Sequence, residues 1–191
     1  MHWIDPNQLP ATTGTFSQFL LNMHGEVDGM MFVDGTEIHF PRHMSEEICA
    51  AVEKDPAMHL TVRGVRPRLR SDVIAAIAFD LPDGHRILDN GPPHASERPE
   101  HKEHAKRKPM QLEGRVVRPL HDPKGEVRGM LLDNGCIVRL APHGANHCEK
   151  FISAGKTVAI RGEGLTVLHG TAIEAREIGD DLDHLVPTKH K

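Results

Sequence analysis

Two stretches decide how this chain is read: HGEVDGMMFVDG, residues 24–35, and KGEVRGMLLDNG, residues 124–135. They are one pattern written twice. Sliding the chain by 100 residues aligns Gly14–His43 with Gly114–His143 over 30 positions without a gap. Gly14, Leu20, Gly25, Glu26, Val27, Gly29, Met30, Gly35 and His43 meet identical residues. Phe16 meets Val116, Met31 meets Leu131, Asp34 meets Asn134, Ile38 meets Val138 and Phe40 meets Leu140. The register then shifts by two, and LTVRG (60–64) meets VAIRG (158–162). Four glycines in register together with the apolar pattern identify two copies of one fold unit.

Each copy spells the same order of elements. A long strand comes first, GTFSQFLLN in one copy and EGRVVRPLH in the other, and a turn follows at Gly25 or Gly125. Two short strands come next, GMMFV and TEIHF, or GMLLD and CIVRL, joined at Asp34-Gly35 and Asn134-Gly135. Asp-Gly and Asn-Gly are strong hairpin signals because the turn needs a positive φ. In MSEEICAAVEK the spacing of Met44, Ile48 and Val52 predicts a helix, with Ser45 as its cap and Glu46 and Glu47 at its positive end. In NHCEKFISAG the expected cap is Asn146 and the expected stop is Gly155. A fourth strand (MHLTVRG or KTVAIRG) and a fifth (DVIAAIAF or TAIEAREI) complete the unit.

Three strands, a helix and two strands in about 65 residues is the order of the OB-fold, a five-stranded Greek-key barrel. The fold class expected is therefore mostly β: two tandem OB-fold five-stranded barrels, each with one short helix between strands 3 and 4. Gly14 and Gly114 would let the long first strand bend. The domain limits read as an N-terminal extension 1–13, barrels at 14–80 and 111–178, a linker 81–110 and a tail 179–191. The linker holds five prolines, four histidines (His85, His94, His101, His104) and eleven charges, a composition that cannot bury a core.

The stretch FLLNMHGEVDGMMFVDGTEIHFPRH also resembles small bacterial proteins described as OB-fold nucleic-acid-binding-like. They carry a long first strand, a Gly-Glu-x-x-Gly turn and a DGT-x-x-x-FP-x-H stretch. The resemblance covers the first copy best and the second more loosely, with LAPH in place of FPRH. It implies the fold, and by fold analogy alone it implies nucleic-acid binding.

Bulk composition narrows the classes. The 191 residues are 38% apolar, which suits two small domains with thin cores, and net charge is −4, so no global pull toward nucleic acid or anionic membrane exists. Cys49, Cys136 and Cys148 form no CxxC, and the opening MHWIDPNQLPATTG has neither the basic stretch nor the apolar run of a secretory leader. No apolar run nears the ~20 residues a membrane helix needs. The expectation is a cytoplasmic protein with reduced thiols.

OB-folds bind through the face of strands 2 and 3 and through the loops after strands 1 and 4. Alternation places Ile38 inward and His39 outward, and likewise Val138 inward and Arg139 outward. The first turn pairs His24 with Lys124 and Asp28 with Arg128. The connection RGVRPRLR puts Arg63, Arg66, Arg68 and Arg70 within eight residues. Guanidinium groups bind phosphate and stack on bases. Arg63, Arg66, Arg68, Arg70, His39, Arg128 and Arg139 are therefore the candidate contacts for single-stranded DNA or RNA. Two features weigh against a strong single-strand binder. Aromatic residues are 4%, with no tyrosine and with Trp3 outside both copies, whereas such binding leans on base stacking. The first copy also sets six Lys/Arg against ten Asp/Glu, so its arginines sit on an acidic body.

Two rival classes remain. A protein–protein adaptor would use the same faces or exposed strand edges. A metal site would draw on His143, His147 and Cys148 in PHGANHCEK, although no fourth ligand is evident and the first copy has His43, Glu47 and Ile48 there. Catalytic motifs (GxSxG, a P-loop, GxGxxG after a strand, HExxH) are missing, and the expectation is a non-enzymatic protein without a cofactor.

Overall fold

The computed structural model describes residues 5–91, 105–141 and 144–188. The chain divides into two compact units. The first is built on β1 (Ala11–Leu21), β2 (Val27–Phe32), β3 (Glu37–His39), α1 (Ser45–Val52), β4 (His59–Val65), β5 (Val73–Asp80) and β6 (Arg86–Leu88). The second is built on β7 (Lys108–His121), β8 (Val127–Leu132), β9 (Ile137–Arg139), α2 (Gly144–His147), α3 (Glu149–Ile152), β10 (Thr157–Val167), β11 (Gly170–Gly179) and β12 (Leu185–Pro187). No helix among the described residues is long and apolar enough to cross a membrane.

In the first unit β3, β2, β1, β4 and β5 are neighbours in that order, and β3 returns to β5 in parallel through Glu37↔Val73, Ile38↔Ile74 and His39↔Ala75. That parallel pair closes a five-stranded barrel. The second unit closes the same way, with Ile137, Val138 and Arg139 of β9 against Ala172, Ile173 and Glu174 of β11. Two closed five-stranded barrels in tandem, with this strand order, are consistent with an OB-like repeat.

The repeated glycines explain themselves in this geometry. Gly35 has φ 88° and donates its N–H to the Phe32 carbonyl at 2.9 Å, while Asp34 Oδ1 accepts from the Thr36 N–H at 2.8 Å. Gly135, Leu132, Asn134 and Cys136 repeat the arrangement at 2.9 and 3.0 Å. Asp or Asn tightens the turn through its side chain, and glycine accepts the left-handed backbone. The Arg-Gly of LTVRG and VAIRG marks a shared bulge: pairing with the next strand shifts register at Arg63/Gly64 and at Arg161/Gly162. A Cβ at Gly64 would overlap the Ala75 carbonyl, and one at Gly162 would overlap that of Glu174. Glycine permits the close backbone approach that bends a strand around a small barrel.

Each barrel holds its own core. In the first, Leu20, Met30, Phe32, Ile38, Leu60, Val62, Ile74 and Phe79 are buried, and Phe40 meets Phe79 edge-on with centroids 5.5 Å apart. The predicted stripe faces this core, since Ile48 and Val52 on α1 and Met44 in the turn before it are all buried. In the second barrel Val116, Met130, Leu132, Val138, Ile160, Ile173 and Ile178 form the core, joined from the helices by Cys148, Phe151 and Ile152.

Several details differ from the sequence expectation. β1 begins at Ala11 and β7 at Lys108, both earlier than read. A sixth strand closes each repeat inside stretches read as linker and tail: β6 pairs Leu88 with Ala78, and β12 pairs Pro187 with Glu177. Each occupies the edge of β5 or β11 that the three-residue β3 or β9 leaves uncovered, and a covered edge cannot recruit another strand. The β6 and β12 registers match at a spacing of 99 residues, as do the bonds Asp89 N to Ile77 O and Thr188 N to Arg176 O. Ser45 does not cap α1; it is the first helical residue, entered from a 3-10 turn at Arg42–Met44. Asn146 lies within α2, and the helical segment is broken at Cys148. Gly155 stands beyond the helix end, in a turn closed by Lys156 N to Ser153 O. Trp3, His94, His101, His104 and His143 lie outside the described residues.

Candidate functional site

The structure separates the seven candidate contacts into two groups. The first group is already engaged. His39 is buried on β3, its Nε2 3.1 Å from Oε1 of the fully buried Glu37, so it is covered rather than offered to solvent as expected. Met31, also on the outer side of the hairpin opposite Glu37, is buried too. In the second barrel Leu131 and Ile137 hold the matching positions and are buried, and Arg139 is half-buried with its Nε donating to a backbone carbonyl. Neither hairpin therefore presents the basic face that strand alternation suggested.

Arg63 donates its Nε to Asp80 Oδ2 at 2.7 Å, and Arg86 donates to the other oxygen of the same carboxylate. Partial burial works to raise the Asp80 pKa, but hydrogen bonds and charge from Arg86 and Arg63 outweigh it and hold the carboxyl below its usual range. Arg128 is held between Asp122 at 3.2 Å and Glu126 at 2.7 Å. Asp122 is itself fixed, since its Oδ1 accepts the Glu126 N–H at 3.0 Å across the turn at Gly125. A guanidinium between two carboxylates carries little net charge toward an anion.

The second group is Arg66, Arg68 and Arg70, on the loop between β4 and β5. The chain leaves the sheet after Val65, one residue past the bulge at Gly64, and a turn closed by Arg70 N to Pro67 O shapes the tip. Arg66 donates from Nη2 to Thr12 Oγ1 at 2.7 Å; among the described residues none of the three arginines is paired with a carboxylate. Arg66 and Arg68 are exposed and Arg70 is half-buried.

Sequence reasoning passed over the residue between them. Leu69 is 89% exposed at the tip of this loop, and Val65, where the chain leaves β4, is 49% exposed. The second barrel has no such loop, because β10 and β11 run on to a tight turn at Leu168-His169, with Gly170 at φ 140°. Yet the tip of that turn is again a leucine, Leu168, 88% exposed. An apolar residue inside RPRLR and TVLHG was the available signal.

The remaining chemistry is quiet. All six phenylalanines are buried, so no Phe ring offers a stacking platform. Cys49, Cys136 and Cys148 are free, buried thiols. Burial pushes Cys136 up to about 11 and Cys49 to about 11, the latter against a hydrogen bond from Ser45; burial raises Cys148 as well. A thiol held protonated is a poor nucleophile and a poor metal ligand. Among the described residues no three His, Cys, Asp or Glu side chains converge as a metal site. His147 is exposed and Cys148 is turned into the core. His85 pairs instead with Glu47, Nε2 to Oε1 at 2.9 Å. No family model matches this chain, and no curated protein is significantly similar to it.

Proposed function

We propose that this chain is a non-enzymatic protein–protein adaptor that engages its partner through the connections after the fourth strand of each barrel. The observation that carries this reading is the pair Leu69 and Leu168. Both stand almost wholly in water at the tip of the same connection in two copies of one fold, while every phenylalanine is withdrawn into a core. A single exposed leucine is ordinary. Two on the same connection of the repeat, one on a loop and one on a tight turn, are a recurring apolar feature, and apolar anchors within a polar rim are how interfaces are built. Arg68 and Arg70 flank Leu69 and favour an acidic surface on the partner.

A second reading, weak binding of single-stranded nucleic acid, is supported by the three arginines of that loop, which have no carboxylate partner among the described residues. It would rest on phosphate contact alone, with steep salt dependence and little base preference. One set of variants separates the two. Leu69→Ser and Leu168→Ser should reduce recovery of a specific partner protein from source-cell lysate at least about tenfold while leaving anisotropy of labelled single-stranded DNA and RNA unchanged. If Arg66→Ala, Arg68→Ala and Arg70→Ala together abolish salt-sensitive nucleic-acid binding and the leucine variants change nothing, the adaptor reading fails and the nucleic-acid one replaces it.

A further inference from the structure

The second barrel contains a groove of about 300 Å³ lined by Pro119, Val127, Ala145, Glu149, Ile152 and Ser153. It lies where the end of β7 and the start of β8 meet α2 and α3. The repeat supplies a control, because the first barrel has Phe19, Val27, Ser45, Cys49, Val52 and Glu53 at the positions 100 residues earlier. There Phe19, Val27, Cys49 and Val52 are all buried, and the Phe19 ring rests on Phe16 with centroids 4.7 Å apart. In the second barrel proline replaces the Phe19 ring and glutamate replaces Cys49. Pro119 and Val127 are only half-buried and Glu149 is exposed.

The first barrel thus fills from within a place that the second leaves open. Four of the six lining residues, Pro119, Val127, Ala145 and Ile152, are apolar, and the volume is at the lower end of the range for ligand pockets, about 300–1,000 Å³. That suits one aromatic side chain rather than a large cofactor. The rim is acidic: Glu149 has no ion-pair partner among the described residues, while its neighbour Lys150 is directed over the Phe151 ring at 4.5 Å. An apolar floor with one free carboxylate at its edge matches an aromatic residue carried beside a cation.

We propose that this groove docks a phenylalanine-type side chain adjacent to arginine or lysine on a partner protein. It shares no residue with the Leu69 and Leu168 connections, so it stands or falls separately from them.

The test uses the full chain with ¹³C-labelled methyl groups. The probe is N-acetyl-phenylalanyl-arginine amide, with the alanyl-arginine and phenylalanyl-glutamate amides as controls. Saturable shifts are expected at the Val127, Ala145 and Ile152 methyls. The alanyl control should bind at least about tenfold more weakly, the loss that follows from not burying a phenyl group. Glu149→Gln should weaken the arginine probe about two- to fivefold and leave the glutamate control no weaker. Pro119→Phe restores the first barrel's residue and should abolish the shifts. Ala145→Leu fills the groove from the helix side and should do the same, which keeps the test valid if a ring on β7 disturbs folding. Shifts that survive both filled variants, equal binding of the alanyl control, or no saturable shifts at these methyls would overturn the proposal.

Discussion

The two barrels share a topology and differ in how they fill it. Phe16, Phe19, Phe32, Phe40 and Phe79 give the first an aromatic interior, and the second holds Val116, Pro119, Leu132, Leu140 and Ile178 at the matching positions. The missing bulk is made up partly from the helix side, where the buried Ala51 becomes the buried Phe151. The lesson is that the glycines and hairpins of the repeat specify the barrel, while volume can be supplied from either wall. A place where it is not made up is the groove beside Pro119.

That contrast is open to direct tests. The largest effect is expected at Phe151, which stands in for several rings: Phe151→Ala should cost about 3–5 kcal/mol, read as a fall in urea midpoint at unchanged slope. The next is a matched pair. A Cβ at Gly14 would overlap the Phe32 ring, whereas at Gly114 it would lie 3.1 Å from the smaller Leu132. Gly14→Ala should therefore destabilise by about 1–3 kcal/mol and Gly114→Ala by less than about 1. Equal costs in urea unfolding would break the account of aromatic against aliphatic packing.

A third test concerns charge. Asp80 binds two arginines in the first barrel, and Gly179 holds the place reached by counting 99 residues on. Asp80→Asn should cost about 1 kcal/mol near neutral pH, modest because the group is partly solvated. The Asp80 pKa is lowered in the folded state, so its contribution is present above the unfolded carboxylate range near pH 4 and is lost as pH falls through the folded value. The gap between wild type and variant in denaturant titrations should accordingly close in acid. The smallest effect belongs to the exposed pair Arg161–Glu177 of the second barrel, 2.9 Å apart. Arg161→Ala should change the midpoint by no more than about 0.5 kcal/mol.

Much of the fold was legible because its signals are local. Gly35 and Gly135 announce hairpins through their own backbone, and the stripe Met44, Ile48, Val52 announces a helix. The sixth strands were not legible. A three-residue strand points one side chain inward, Ile87 in the case of β6, and period two cannot be seen in a single residue. Ser45 failed as a cap because the preceding turn was already helical in character, which no propensity at Ser45 reveals. Exposure and pairing of the candidate contacts were not legible for a different reason. Alternation told which way His39 points but not that it is covered, and proximity in sequence gathered Arg63 with Arg66 although Arg63 is committed across the sheet to Asp80. The groove is visible only by subtraction, when Pro119 is set against Phe19.

Among the described residues each sheet is made of strands that follow one another along the chain, β1 to β6 and then β7 to β12, with none borrowed from the other half. During synthesis the first barrel therefore has every strand it needs once Leu88 is free of the ribosome, and can close before β7 has emerged. Near-identical neighbours risk exchanging strands when both are unfolded together. Emergence in order removes that hazard for the newborn chain, whereas refolding from denaturant restores it.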